Sequence, residues 1–459
     1  MKKLFLFPLF ILLVISFILA GCGESAAPTT TLPTTSEPTT TAPTTSAPIN
    51  TNAPTTTQPT YTGPAAQKTL VVGLITDLTS TLGNQVMNWQ MLLTEMYNAK
   101  GGVKIGNDTY VVKTICYSTD ADFNKGVAAA NRLIFQDNVN FIISHGIITA
   151  DYIAPIAEPE KVITFSNSSV WNSGFLDKWH YNFAVLGQAT HEICVAGYML
   201  ETYPEMKAPG GLAVALPDNA SGHQSASNMM VPYRALGAEP TIVYYPADQR
   251  DLSSLGTKIR MLNPPWFISG TGGVEAMGLV SAACYNAGYR GHFFHYLTSD
   301  VGLLAPVYKP EVLEGYICGG SAMELEPVYT PWAKEMKDAW IAKFGRWDYA
   351  DYMTTPLFTA LIAAIQKAES IDVEKVNDAL HTPGLEFLCP DGKGMMITRP
   401  DMRLDGRAVD GVTDNMLKQV KDKKPIIFAQ FSPEKALEYV RRAYPALPPG
   451  ATPTIFKPQ

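Results

Sequence analysis

Two doubly wound α/β lobes are predicted from this 459-residue sequence by three features. Short β-branched runs without polar alternation recur along the chain, the pattern of strands buried on both faces of a parallel sheet. Segments of helical periodicity separate them at short intervals. The whole alternation then restarts once, near residue 188. In sheets of this kind ligands bind beyond the carboxyl ends of the strands, at the topological switch.

The first set opens with the strand 69–75 (TLVVGLI), followed by a helix over 84–100 that Gly101-Gly102 stops. A strand over 110–117, a helix over 122–136 capped by Asp122, a strand over 139–144, a helix starting at Thr149 and a strand over 162–166 complete it. The second set has helices over 188–201, 221–236, 252–262 and 274–287, and strands over 212–216, 241–245, 266–269 and 292–297. A further strand is expected at 316–320 and two helices at 331–344 and 349–368. The C-terminal part mixes short strands, 394–398 and 425–431, with a last helix at 434–442.

Ahead of this region lies a different kind of chain. Lys2-Lys3, an apolar run over 4–19 and small residues form the layout of a secretory signal, and the run is shorter than the ~20 residues of a spanning helix. Leu19-Ala20-Gly21-Cys22 resembles the lipobox of bacterial lipoproteins, in which the cysteine sulfur is acylated and the chain is cut just before it. Residues 1–21 are therefore read as the signal and Cys22 as the lipid attachment point. Residues 22–67 are mostly Thr, Pro, Ser and Ala; repeated proline blocks helix and sheet ladders. An extended tether of about 3.1 Å per residue follows, with a reach on the order of 100 Å. Its Thr and Ser beside Pro also suit O-glycosylation.

The formal charge is −7, and loss of Lys2 and Lys3 with the signal takes it to −9. No basic run or basic-aromatic stripe is present, which argues against nucleic acid as a partner. No cysteine pair has metal-ligand spacing, so neither a metal nor a cofactor is expected. Apart from Cys22 there are five cysteines, an odd number, and Cys318 with Cys389 is the one pair worth testing as a disulfide. The G-T-G-G-V-E stretch from Gly270 lacks the third glycine of a dinucleotide fingerprint, and His191-Glu192 lacks the second histidine of a zinc protease helix. No nucleophile elbow, P-loop or paired-carboxylate site stands out, so an enzyme is the least favoured reading.

The order of segments resembles the type I solute-binding proteins of ABC importers, in particular the branched-chain amino acid (Leu/Ile/Val)-binding group. The stretch 98–104 (NAKGGVK) is similar to that family's helix end, and 120–134 (DADFNKGVAAANRLI) to its helix after the second strand. Residues 139–145, 162–164 and 348–350 also fit. The resemblance implies a three-strand hinge, a ligand cleft between the lobes, a first lobe of 68–187 and 322–386, and a second of 188–321 and 387–459. It also implies an ABC permease as partner, reached by lobe closure. The alternative is a ligand-sensing module of the same fold that acts with a separate signalling partner.

Carried over position by position, the carboxylate-binding groups of a small solute fall on Ile148, Thr149, Ser166, Asn167 and Ser168. Asp300 stands where the family supplies an acid for an ammonium, and Ser221 and Thr271 are further contacts from the second lobe. Thr149 would equally serve as a plain N-cap, and so would Asp300 for the segment after it. Leu82 and Trp171 are possible pocket walls. Two departures bear on the solute: Ile148 falls where amino-acid binders tend to carry serine, and Leu82-Gly83 replaces a Tyr-Gly of some relatives.

Overall fold

The computed structural model describes residues 68–443 apart from 147–148, 168–179, 186–187, 220–221, 224, 227–229, 271–273, 299–303, 306–307, 320–321, 348–353, 383, 398–409 and 414. The expected signal and tether lie outside the described residues.

Sixteen described strands form two sheets. The first set comprises β1 (Lys68–Thr76), β2 (Val103–Ile105), β3 (Asp108–Ser118), β4 (Phe141–His145), β5 (Ile163–Asn167) and β6 (Asn182–Val185). The second comprises β7 (Leu212–Pro217), β8 (Thr241–Tyr245), β9 (Trp266–Ile268), β10 (His292–Thr298) and β11 (Ile317–Gly319). Five more follow: β12 (Glu386–Cys389), β13 (Gly392–Ile397), β14 (Asp410–Thr413), β15 (Asn415–Lys421) and β16 (Lys424–Phe431). One sheet runs β12-β13-β14-β6-β5-β4-β1-β3-β2 and the other β16-β15-β11-β10-β9-β7-β8.

Both sheets have parallel centres; the first has antiparallel strands at both margins and the second at its β15–β16 margin. In the first, β1 pairs in parallel with β3 and β4, and β4, β5, β6 and β14 continue in parallel. The order reverses between β1 and β4 there, and between β7 and β9 in the second sheet. These are the two switch points.

Both faces of each sheet are covered, which explains the unbroken apolar runs. On the first sheet Leu70, Val72 and Leu74 of β1 pack with Trp89 and Leu93 of the helix Thr81–Ala99 and with the helices Pro331–Phe344 and Thr355–Ala368. Ile75 faces the other way, toward Ala130, Leu133 and Ile153. Gly73 sits between strands and helix there; a Cβ on it would lie 2.8 Å from Leu133 Cδ1. On the second sheet the helices Ser253–Leu262 and Val274–Asn286 cover one face and Gln188–Thr202 the other.

Helix starts follow the capping chemistry. Ser80 accepts from Gly83 N at 3.0 Å, which places the first helix three residues earlier than its periodicity suggested. Asp122 accepts from Lys125 N at 2.9 Å as expected. The end of the first helix has Gly101 and Gly102 at φ 97 and 98, with Gly102 N donating to Tyr97 O at 2.9 Å.

Two expectations are corrected. The return to the second lobe was placed at residue 387, but β12–β14 extend the first sheet, so the chain returns after Thr413. The physical reason is an antiparallel meander added at the margin of a parallel sheet. Cys318 and Cys389 do not form a disulfide: one lies on β11 in the second sheet, the other on β12 in the first. Cys116, Cys194 and Cys284 are also thiols, and burial pushes Cys116 and Cys284 up to about 12.

Candidate solute-binding cleft

Three chain crossings place the site. The chain passes from β6 to the helix Gln188–Thr202, from β11 to a 3-10 turn at Ala322–Glu324, and from β14 directly to β15. β14 is parallel to β6 and β15 antiparallel to β11, so the third crossing joins the carboxyl edge of one sheet to the carboxyl edge of the other. The two edges that carry the switch points therefore meet at the crossings.

On the first sheet that edge is a row of hydroxyls. The apolar runs of β1, β4 and β5 each give way to a buried Thr or Ser: Thr76, Ser144 and Ser166. Register places Ser144 opposite Ser166 and opposite Ile75, so Thr76, itself opposite Ser118, lies one step farther out. Ser144 Oγ donates to Phe165 O at 3.3 Å. Asn167 lies opposite His145 one step farther out. Thr149 opens the helix Thr149–Ala157 that follows β4.

The loop after β1 is self-satisfied. Asp77 Oδ1 accepts from Thr79 N at 3.0 Å, Asn84 Nδ2 donates to Leu78 O at 2.7 Å, and Leu78 N donates to Ser118 Oγ at 3.0 Å. With its backbone groups used internally, the loop leaves Leu82 projecting, 41% exposed. Gly83 is required by this closure, because a Cβ there would lie 1.8 Å from Asp77 O.

The edge of the second sheet is built similarly. Ser269, buried after β9, lies 3.3 Å from the Tyr308 hydroxyl, whose pKa burial raises while the hydrogen bond to Ser269 opposes. The carbonyl of Gly270 is 2.8 Å from His295 Nε2. Gly270 has φ 94, and a Cβ there would lie 1.9 Å from Ala215 O, so only glycine fits. Gly222 N donates to Asn219 Oδ1 at 2.9 Å in the loop after β7. A depression of about 290 Å³ at the β8 end of this edge is lined by Asn219, Tyr245, Leu252 and Leu279.

Of the residues expected to hold a solute, Ser166, Asn167, Thr149 and Leu82 are thus at the carboxyl edge of the first sheet. Ile148, Ser168, Trp171, Ser221, Thr271 and Asp300 lie outside the described residues. Thr76, Ser144 and Ser269 were not anticipated. Their signal was present in the sequence as a hydroxyl closing each apolar run. Among the described residues no group of His, Cys, Asp and Glu has the arrangement of a metal site, and no helix is long and apolar enough to cross a membrane.

Two doubly wound lobes with facing carboxyl edges and three crossings define a two-lobed solute-binding protein. A family model described as periplasmic binding protein matches residues 69–413, about three quarters of the chain. The chain belongs to that family, whose members are extracytoplasmic solute-binding proteins. Solved structures agree on the fold. A leucine-binding protein of Thermotoga maritima is 17% identical with a TM-score of 0.58, covering 80% of this chain and 99% of its own. A branched-chain amino acid ABC transporter ligand-binding protein of Burkholderia xenovorans is 16% identical, TM-score 0.61, over 84% and 100%. An ABC transporter solute-binding protein of Rhodopseudomonas palustris, in complex with 3,4-dihydroxybenzoic acid, is 18% identical, TM-score 0.60, over 79% and 97%. No curated protein matches by sequence.

Proposed function

We propose that this chain is an exported receptor, held to the membrane by lipid on Cys22, that captures a small polar solute between its lobes and presents it to an ABC permease. The observation that carries the reading is the row of buried hydroxyls at one of two carboxyl edges that meet at the crossings. Hydroxyls and backbone N–H groups at such an edge suit a carboxylate, and a helix N-terminus adds a favourable dipole. Relatives of the same fold that bind leucine, or are solved with a dihydroxybenzoic acid, support an amino acid or related carboxylate as the solute class. In this reading Thr149, Ser166, Asn167 and Ser168 take the carboxylate beside Ile148, Asp300 takes an ammonium, Ser221 and Thr271 close from the second lobe, and Leu82 and Trp171 wall the pocket.

A thermal-shift panel of aliphatic and aromatic amino acids, aromatic carboxylic acids and small amides tests it. A ligand at 100 times its Kd stabilises the folded state by about 2.7 kcal/mol. A branched-chain amino acid that raises Tm, with the shift lost in Asp300→Ala, supports the ammonium role. A shift only with acids lacking an amine, insensitive to Asp300→Ala and lost in Ser166→Ala with Ser168→Ala, moves the site to the serine loop. Unchanged affinity in all of these variants removes the site assignment. The anchor is tested separately: tritiated palmitate should label the exported chain and not Cys22→Ser, and equal labelling of both would remove the anchor.

A further inference from the structure

One charged pair lies where no solute contact needs it. Lys418 of β15 is fully buried, and the Glu324 side chain is only 6% exposed; the two form a salt bridge. Each stands just past a crossing. Glu324 ends the 3-10 turn that follows the second crossing, between Met323 and Leu325 of the first lobe's core. Lys418 follows the third crossing. Its neighbours on β15 divide between the lobes: Met416 packs in the first lobe's core, Leu417 in the second's. Opposite Lys418 on β11 is Cys318, one residue before the end of that strand at the second crossing.

A second observation singles out the same position. The pairing of β15 with β16 slips between Leu417 and Lys418, where Leu417 faces Ala429 and Lys418 faces Ile427. A bulge of this kind re-aims the side chain beside it. Here it falls at the one charged residue in a buried run of the strand.

We propose that the Glu324–Lys418 pair is a hinge latch, an ionic tie between two crossing segments that restricts lobe rotation and so sets the fraction of molecules poised to bind. Two buried ions hold each other in a narrow geometry, because drawing them apart gives up their attraction while both stay desolvated. A rotation that draws the second and third crossings apart must stretch this pair. Apparent affinity scales with the competent fraction, so a residue that never touches solute would tune it. The inference goes beyond the identity of the solute and needs only that the lobes move.

The test uses the full chain in detergent without solute. Spin labels attached through ketone-bearing residues replace Phe135 of the first lobe and Met261 of the second, which are 54% and 81% exposed, and the distance distribution between them is measured. The double variant Glu324→Leu with Lys418→Met removes both charges, a change that is often neutral or stabilising. Its Tm is expected to stay at or above that of the parent while the distribution broadens about twofold. Lys418→Arg keeps the charge and is expected to keep the narrow distribution. A folded double variant whose distribution superimposes on the parent's overturns the latch. So does Lys418→Arg broadening to the width expected of the double variant, which would make packing and not charge responsible. Neither outcome bears on whether the thermal-shift panel finds a solute, so the two readings fail independently.

Discussion

Gly83 shows how a single missing side chain shapes the rim of the cleft. It stands in the first turn of the helix Thr81–Ala99, where helix propensity alone favours alanine by about 1 kcal/mol. The contact geometry opposes that preference, since a Cβ would lie 1.8 Å from the Asp77 carbonyl oxygen and neither atom belongs to a flexible side chain. Gly83→Ala should therefore destabilise the fold by about 1–3 kcal/mol, the range of overpacking. Urea unfolding measures it, and a stabilised variant would show that the 77–80 loop yields. Leu82→Ala should leave stability nearly unchanged, because 41% of that residue is in solvent, and any effect should fall on solute affinity. Part of the candidate edge was legible at this scale. Ser166 stands at the end of an apolar run and Thr149 at the start of a helix, and both positions could be read from the sequence. Lys418 was not legible, because a lysine inside NMLKQVK reads as a solvated residue and only the sheet shows it facing Glu324.

Several strands were legible through their burial, although β6, internal to the first sheet, was missed. β1, β4, β5 and β7 are covered on both faces, so no polar alternation interrupts them and composition alone marks them as strands. The helix Pro331–Phe344 was placed within its observed ends, because Thr330 caps it and Gly345 at φ 83 stops it. Some of the missed elements have the opposite character. β2 is a three-residue antiparallel margin, and β12 alternates exposed and buried positions with Leu388 open to solvent. β14 and β15 are separated by a single residue, so no turn signal divides them, although they belong to different sheets. The helix Val373–Leu380 is only two turns long; its signal was Asp372, which accepts from Lys375 N at 3.1 Å. Element type thus followed from burial and capping, whereas membership of a sheet depended on pairing between distant segments that composition does not encode.

At the scale of the molecule the three crossings make each lobe discontinuous in sequence, and unequally dependent on its distant part. The first lobe's helical face needs the helices Pro331–Phe344 and Thr355–Ala368: Trp89 meets Trp340 at 4.5 Å between ring centroids, and Leu357, Phe358, Leu361 and Ile365 are all buried against the sheet. The second lobe's core on the Ser253–Leu262 face is drawn almost wholly from 213–318, with Val420 the one residue from beyond the third crossing. A fragment spanning 68–319 should therefore fold unevenly. Without the later helices, Val72, Leu74, Trp89 and Phe165 lose the cover that makes their burial favourable, at about 25 cal/mol per Å². Hydrogen exchange should show the helices Ser253–Leu262 and Val274–Asn286 still protected while Thr81–Ala99 and β1 exchange near the rate of an open chain. Near-UV circular dichroism from the tryptophan cluster should vanish with them. Adding the segment 322–459 in trans should restore both signals, because it supplies the missing face. Protection of Thr81–Ala99 in the isolated fragment would mean that the first sheet is stable on one covered face, and that the discontinuity serves the hinge alone.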